Sequence, residues 1–266
     1  MKKIVLKNVA PLTYDMKEAL RTLKTNIKFC GDDIKVIMIT SAAPNEGKSE
    51  VTFSLARSLT DSKAKVLIID SDMRKSVLVG RLHAITEDSE EVYGLSHFLS
   101  GQSQLDASMY YTNIPGLYMM FSGPFTPNAT ELLEKVYFAK LIETVRDQFD
   151  YVLIDSAPLG AAIDAAIIAS HVDGTVLVVA QDEVPSKYVV EAKKQIEVAG
   201  GKILGVVLNK VKIGKGFYGK YYGKYYGKYR GKYGNFGKYG NYSNYGHYSN
   251  YGKSTDNKLK DEKKKS

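Results

Sequence analysis

The chain has 266 residues, of which 44% are hydrophobic, enough for the core of one large domain or two small ones. Its formal net charge of +8 is unevenly divided, because residues 1–213 hold 24 Lys and Arg against 26 Asp and Glu, whereas residues 214–266 hold 13 against 3. The first region therefore lacks the basic excess of a nucleic-acid-binding domain.

The single cysteine, Cys30, excludes an intramolecular disulfide framework and is typical of a reducing compartment. No apolar run reaches the ~20 residues that cross a bilayer, and the first residues do not form a signal peptide. We therefore expect a cytoplasmic protein whose association with a membrane depends on a partner or on its C-terminal segment.

The first predicted element is a helix over residues 15–30. Glu18, Arg21 and Lys24 recur there every three residues and therefore share one face. Judged by residue type alone, this is a solvated face.

Short aliphatic runs follow along the chain and predict strands that are buried on both sides, because they lack polar alternation. These runs lie at 36–40, 66–70, 151–155, 175–180 and 203–209, with a weaker sixth at 117–120.

Helices are predicted between the strands, at 48–60, 130–148, 162–170 and 186–199. Asn128, three residues before Glu131, predicts a capping box at the start of the second of them. The alternation predicts an α/β fold, a doubly wound and mainly parallel sheet flanked by helices, in which ligands bind beyond the carboxyl ends of the strands.

The segment SAAPNEGKS, residues 41–49, lies between the first buried strand and a helix. Gly47, Lys48 and Ser49 form the core of a phosphate-binding loop, in which backbone N–H groups bind phosphates, the lysine reaches the β and γ phosphates and the serine offers a hydroxyl to Mg²⁺. The first glycine of the usual pattern is replaced by Ala42. Taken by itself, the segment is equally compatible with a turn that has no function.

Three carboxylates end two other predicted strands. Asp70 and Asp72, in LIIDSDMR, are two residues apart and face the same side of an extended strand, and Asp155 ends VLID. Neighbouring carboxylates repel each other unless a metal ion or a proton neutralises one of them. These residues predict a Mg²⁺ site beside the phosphate loop.

In combination, these segments resemble the bacterial protein-tyrosine kinases (BY-kinases) that regulate capsule and exopolysaccharide synthesis. The resemblance rests on SAAPNEGKS, IIDSDMR, VLIDSAP, EALRTLKTNIKF, GPFTPNATELL and a C-terminal tyrosine cluster. It implies a fold of the P-loop NTPase type, ATP and Mg²⁺ as cofactors and transfer of phosphate to protein tyrosines. Asn45 stands where the family has glycine, and asparagine tolerates a positive φ better than most residues.

The resemblance also implies roles for single residues. The implied catalytic residues are Lys48, Asp70, Asp72 and Asp155, and we expect Asp70 to be the base that accepts the tyrosine proton. Arg74 contacts phosphate or structures its loop, and Asn209 meets the adenine. The implied Mg²⁺ ligands are Ser49, Asp70, Asp72 and Asp155, and the implied nucleotide contacts are Asn45, Glu46, Gly47, Lys48, Ser49, Glu50, Arg74 and Asn209.

In the family, a Glu–Arg–Arg motif near the N-terminus joins subunits into a ring. Here that motif corresponds to Glu18, Arg21 and Lys24. Lysine lacks the bidentate geometry of the arginine guanidinium, so a contact through Lys24 is weaker or displaced.

Residues 214–266 predict a disordered tail that is rich in tyrosine, glycine and lysine. A flexible segment can enter an active site one tyrosine at a time, and each phosphate adds about −1.5 to −2 charges. Binding of single-stranded nucleic acid by stacking, or of anionic lipid, are alternatives. The predicted phosphoacceptors are Tyr218, Tyr221, Tyr222, Tyr225, Tyr226, Tyr229, Tyr233, Tyr239, Tyr242, Tyr245, Tyr248 and Tyr251.

We therefore expect a tyrosine autokinase that phosphorylates the tails of neighbouring subunits in a ring-like homo-oligomer. A cytoplasmic segment of a membrane adaptor activates it at the inner face of the membrane, a cognate phosphatase reverses the modification, and no nucleic acid is bound.

Two other functions compete with this prediction. A partitioning or positioning ATPase of the deviant P-loop group normally has a lysine where this chain has Ala43, and it lacks a tyrosine cluster. A polysaccharide-assembly scaffold that only binds nucleotide does not account for the intact set of Lys48, Ser49 and the three aspartates.

Overall fold

Strands form one mixed sheet in the computed structural model, which describes residues 1–86 and 91–211 of the chain. Its order is β4-β1-β5-β6-β3-β7-β2-β8-β9. The predicted phosphoacceptor tyrosines lie outside the described residues. The strands are β1 (Lys2–Leu6), β2 (Val36–Ser41), β3 (Val66–Asp70), β4 (Ala84–Thr86), β5 (Tyr110–Thr112), β6 (Leu117–Met120), β7 (Tyr151–Asp155), β8 (Gly174–Ala180) and β9 (Ile203–Asn209).

The strands from β6 to β9 in this order run parallel to one another. The chain passes from β2 to β3 and from β7 to β8, and each connection steps over one intervening strand. This arrangement confirms the predicted doubly wound, mainly parallel sheet and brings the carboxyl ends of β2, β3, β7 and β8 to one edge. Within the described residues, antiparallel pairs occur toward the other margin alone, between β5 and β6 and between β1 and β4.

Helices cover both faces of the sheet. On one face, α1 and α2 bury their apolar sides with the alternate residues of β2, β3 and β7. On the opposite face, α4 and α6 to α9 pack against the other residues of the same strands. The helices are α1 (Tyr14–Phe29), α2 (Lys48–Thr60), α3 (Leu78–Leu82), α4 (Leu95–Leu99), α5 (Leu105–Ser108), α6 (Ala129–Glu134), α7 (Val136–Gln148), α8 (Asp164–Ala169) and α9 (Ser186–Val198).

The central strands are apolar on both sides because both sides are covered. All six residues of β2 are buried, as are all five of β3. Burial of these strands removes apolar surface from water, and each Å² stabilises the folded state by roughly 25 cal/mol. This layer is therefore the main source of the protein's stability. Among the described residues, no helix is both long and apolar enough to cross a membrane.

Two local predictions were wrong. The helix predicted over 130–148 is divided, because Lys135 has an extended backbone (ψ 149°) that ends α6 and precedes α7. The predicted capping box is also absent. Asn128 has φ −98° and ψ 34° rather than the extended backbone of most N-caps, and its side chain accepts a hydrogen bond from Thr126 instead of capping the helix.

Candidate active site

The phosphate loop connects the end of β2, at Ser41, to the start of α2, at Lys48. Gly47 precedes the helix with φ +90°, and no side chain caps the first turn. The N–H groups of that turn, which have no partner within the helix, are available to an anion, and the helix dipole favours negative charge there. Asn45 has φ +66°, a conformation that asparagine tolerates better than most residues.

Glu46 holds the loop from inside the protein. Its carboxylate is buried and accepts hydrogen bonds from the backbone N–H of Ala43, at 2.8 Å, and of Ala180 at the end of β8, at 3.1 Å. A buried carboxylate is tolerated where it receives hydrogen bonds of this kind. Since the Glu46 side chain binds the loop and β8, its backbone would have to make the predicted contact with the nucleotide.

Asn209, at the end of β9, packs against the same loop. Its Nδ2 donates to the carbonyl oxygen of Glu46 at 2.9 Å. A Cβ atom on Gly47 would lie 2.1 Å from that nitrogen, so any other residue would displace the Asn209 amide from the loop, and the positive φ also favours glycine. The predicted contact between Asn209 and adenine stays a prediction.

Three aspartates line the edge next to the loop. Asp70 and Asp155 are directly paired across β3 and β7, and both are 1% exposed. The Oδ2 atom of Asp72 lies 3.6 Å from Lys48 Nζ, so the loop lysine and this carboxylate form an ion pair. The structure therefore brings the four predicted catalytic residues together, with Ser49 next to Lys48 at the start of α2.

The carboxylates of Asp70 and Asp155 are in different hydrogen-bonding situations. Asp70 accepts bonds from the N–H of Asp72, at 3.2 Å, and from the hydroxyl of Ser76. Asp155 Oδ1 is buried and has no hydrogen-bond partner within residues 1–86 and 91–211. An unpaired buried carboxylate oxygen is costly unless a cation or a proton compensates it.

Burial, followed by the charge of Asp155, raises the pKa of Asp70 to about 8. Burial also raises the pKa of Asp155 to about 6, although the nearby Lys48 and Ser49 oppose the shift. Without a cation, this pair therefore retains protons well above the pH at which an exposed aspartate loses its own.

The residues fit a magnesium ion that is shared with a nucleotide. Oxygen ligands suit Mg²⁺, which usually binds to one or two carboxylates and to substrate phosphates. The orphaned oxygen of Asp155 and the neighbouring Asp70 supply such ligands. No group of three His, Cys, Asp or Glu that could hold a metal by itself occurs in the described parts of the chain. Phosphate oxygens and water would supply the remaining ligands.

Arg74 and Glu50 bind protein groups in this structure. Arg74 Nε donates to Asp164 Oδ2 at 2.8 Å and its terminal nitrogens reach Asp164 Oδ1 and the hydroxyl of Thr130. This geometry is that of a residue that structures the loop after β3. Glu50 forms an ion pair with Arg81, at 2.9 Å.

Asp164 is the site residue that sequence reasoning missed. Its side chain is 1% exposed, and it accepts hydrogen bonds from both Arg74 and Thr130. It belongs to no motif, and the only available signal was a lone acidic residue in the otherwise apolar run AAIDAAIIA.

The predicted subunit-contact residues lie away from the phosphate loop. Arg21 is paired with Glu18 on the same helix, and Lys24 Nζ donates to Ser62 Oγ at 2.6 Å. Ser62 follows the C-terminal end of α2, whereas the phosphate loop precedes its N-terminal end. A helix of this length separates the two ends by roughly 20 Å.

Comparison with known proteins agrees with this geometry. The AAA domain family model matches residues 34–196. Tyrosine-protein kinase CpsD of Streptococcus agalactiae is 43% identical over 205 residues, covering 77% of this chain and 88% of that protein. The kinase domain of the Escherichia coli tyrosine kinase ETK is 29% identical with a TM-score of 0.67, covering 74% of this chain and 78% of that one.

A more distant structure shares the fold alone. The cell division ATPase MinD of Pyrococcus furiosus is 24% identical with a TM-score of 0.54, covering 65% of this chain and 71% of that one. The relatives that are closer in sequence carry the name of tyrosine kinases, which does not favour the ATPase-switch alternative.

Proposed function

Since the chain belongs to the family of bacterial tyrosine-protein kinases, we propose that it is an autokinase whose subunits phosphorylate the tyrosine clusters of their neighbours and thereby regulate capsule or exopolysaccharide synthesis and export. The observation that supports this best is the convergence at one edge of the sheet, where Lys48 lies 3.6 Å from Asp72 and Asp70 pairs with Asp155. Phosphoryl transfer depends mainly on alignment and charge stabilisation, and this edge supplies both.

Each residue has a role in this proposal. The first turn of α2 and Lys48 bind the phosphates of ATP, and Lys48 stabilises the charge that develops during transfer. Ser49 and the three aspartates would hold Mg²⁺, which when bound neutralises the charge of the phosphates. Asp70 accepts the proton of the tyrosine hydroxyl, and its raised pKa makes it a stronger base than an exposed carboxylate.

The tail suits the role of substrate through its composition. Residues 218–251 hold 12 tyrosines, and residues 214–266 have a net charge near +10, against about −2 for residues 1–213. About six phosphorylations neutralise that charge, since each phosphate adds about −1.5 to −2. Phosphorylation would therefore change the attraction between the tail and an acidic partner in graded steps.

Assembly requires partners in this proposal. Copies of the chain form a ring through Glu18, Arg21 and Lys24, which first exchange their present contacts with Ser62 and with one another for contacts with a neighbour. A membrane adaptor recruits the ring to the inner face of the membrane and completes the nucleotide site, and a cognate phosphatase removes the phosphates.

The test is phosphopeptide mass spectrometry of the tail from native cells, with the wild type compared with Lys48→Met. Native cells are needed because they supply the proposed activator. The proposal predicts phosphotyrosine between residues 218 and 251 that disappears in the variant. Persistent phosphorylation in the variant would assign the tail to another kinase. Absence of phosphotyrosine in both strains while they produce polysaccharide would refute the autokinase proposal.

A further inference from the structure

Three large apolar side chains are exposed close to the loop that follows β3. They are Val77, Phe125 and Ile163, which are 47%, 71% and 63% exposed, and we call them the apolar rim. Phe125 lies between two prolines in the segment GPFTP at 123–127, and it belongs to neither of the two core clusters.

Hydrogen bonds hold the segments of Phe125 and Ile163 around Arg74, which lies three residues before Val77 in the same loop. The guanidinium donates to the carbonyl oxygen of Pro127, at 3.5 Å, and to Asp164, which follows Ile163 directly. The segment of Phe125 is tied a second time, because the N–H of Thr126 donates to the carbonyl oxygen of Met73 at 3.2 Å.

The same loop carries the active-site carboxylates. Met73 and Arg74 follow Asp72 directly, and the hydroxyl of Ser76, the residue before Val77, donates to Asp70. The apolar rim is therefore connected to Asp70 and Asp72, which lie beside the phosphate loop. Single exposed apolar side chains are ordinary, but several that border one polar site indicate a surface that binds an apolar group.

We propose that the apolar rim, and Phe125 above all, receives the aromatic ring of the substrate tyrosine, and that the occupant is the tyrosine-rich tail of a second copy of this chain. This proposal rests on the proposed autokinase function. A ring that packs against Phe125, edge to face or offset, presents its hydroxyl to the carboxylates after β3.

The tail also fits the charge of this region. Lysines directly precede tyrosines at 220–222, 224–226, 228–229 and 232–233. A tyrosine bound at the rim therefore brings a lysine toward the acidic edge of the sheet, where Asp72 forms an ion pair with Lys48. The apolar contact and the opposite charges together select a basic tyrosine segment over an acidic one.

The experiment uses a tagged Lys48→Met chain at full length as the acceptor, since it cannot phosphorylate its own tail, and membranes from the native cells supply the proposed activator. The donors are the wild type, Phe125→Ala and Phe125→Tyr. A fourth donor, Val198→Ala, loses an exposed apolar side chain at the C-terminal end of α9, beyond the opposite edge of the sheet. We expect Phe125→Ala to raise the KM for the acceptor roughly 3- to 10-fold, while Phe125→Tyr and Val198→Ala match the wild type.

The KM for ATP separates recognition of tyrosine from general damage. It is expected to stay at the wild-type value in Phe125→Ala, together with the thermal midpoint. An acceptor KM that is unchanged in Phe125→Ala, or one that rises only in parallel with the KM for ATP, would overturn the proposal and leave the autokinase function intact. Failure of the wild-type donor to phosphorylate the acceptor tail would overturn both.

Discussion

The phosphate loop and the Asp70–Asp155 pair lie at the same edge of the sheet, yet the protein stabilises them in opposite ways. The polar groups that hold the loop are paired within the protein, because Glu46 accepts from Ala43 and Ala180 and Asn209 donates back to the loop. The carboxylate pair combines two buried like charges with an oxygen that has no partner in the described residues.

The loop therefore contributes the geometry of the site, and the carboxylate pair contributes its charge. The loop has the geometry of a phosphate site before any ligand arrives, which lowers the cost of binding. The carboxylate pair is destabilising until a cation or protons arrive, and strain of this kind is typical of functional sites. Removal of a carboxylate should therefore stabilise the protein and inactivate it, whereas a change in the loop should destabilise it.

The largest expected effect is that of Asp70→Asn. The substitution removes the proposed base, so we expect the rate of tyrosine phosphorylation to fall about 100- to 10,000-fold. Near pH 7, Asp70 must keep a proton in the folded metal-free protein that it loses in the unfolded chain, and asparagine avoids this cost, so the free energy of unfolding at that pH should rise by up to about 4 kcal/mol. Steady-state phosphorylation and urea unfolding with EDTA measure the two changes. Loss of activity together with loss of stability would contradict the contrast drawn above.

Glu46→Ala tests the opposite side of the comparison. It leaves the buried N–H groups of Ala43 and Ala180 without acceptors, and we expect the free energy of unfolding to fall by about 2–4 kcal/mol. Glu46→Gln, which retains one acceptor oxygen, is the matched control and should lose about half as much. Urea unfolding of both variants gives the comparison, and equal stability of Glu46→Ala and the wild type would show that the loop does not depend on this carboxylate.

Asp164→Asn should have a smaller effect on activity. It weakens the bidentate contact with Arg74 and thereby loosens the loop that carries Asp72, so we expect the maximal rate to fall about tenfold with little change in the KM for ATP. Thr130→Val removes a single neutral bond to the same carboxylate and serves as the milder control. A rise in the KM for ATP without a change in rate would place the role of Asp164 elsewhere.

The most gradual expected effect is a dependence of stability on pH. The pKa of Asp70 is about 8 in the folded protein and near 4 in the unfolded chain, so the folded state binds more protons between these values. The free energy of unfolding of the metal-free protein therefore falls as the pH rises from 4 to 8, by up to about 1.4 kcal/mol per pH unit from this residue. Subtracting the urea-unfolding profile of Asp70→Asn isolates that contribution, and a difference that does not vary with pH would contradict it.

The sequence predicted the centre of the sheet better than its margin. The runs that became β2, β3, β7, β8 and β9 are continuous and mainly aliphatic, a pattern typical of strands in a parallel sheet. The prediction of burial on both sides was wrong for β9, which lies at the margin and leaves Val206 and Leu208 more than half exposed. The three short or half-polar strands at the other margin, β1, β4 and β5, were not predicted. β1 contains two lysines in five residues, and β4 and β5 have three residues each, too few to show a period.

The site was predictable where a motif fixes the local geometry. Lys48, Asp70, Asp72 and Asp155 were predicted to converge because the carboxyl ends of parallel strands meet at one edge. The inward turn of Glu46 and the contact of Arg74 with Asp164 could not be predicted. Both depend on partners more than 80 residues away in the sequence, Ala180 and Asp164, that no local pattern identifies.

The most direct test of the central claim, that a cation completes the carboxylate pair beside a loop that is already formed, is the gain in unfolding free energy when Mg²⁺ is added to the ADP-bound protein. Measured at pH 8 for the wild type and for Asp70→Asn, the gain should be large in the wild type and small in the variant, since only the wild type has an ionisable carboxyl group at this position for the cation to bind. An equal gain in both proteins would show that Asp70 does not take part in binding the metal ion and would contradict the claim.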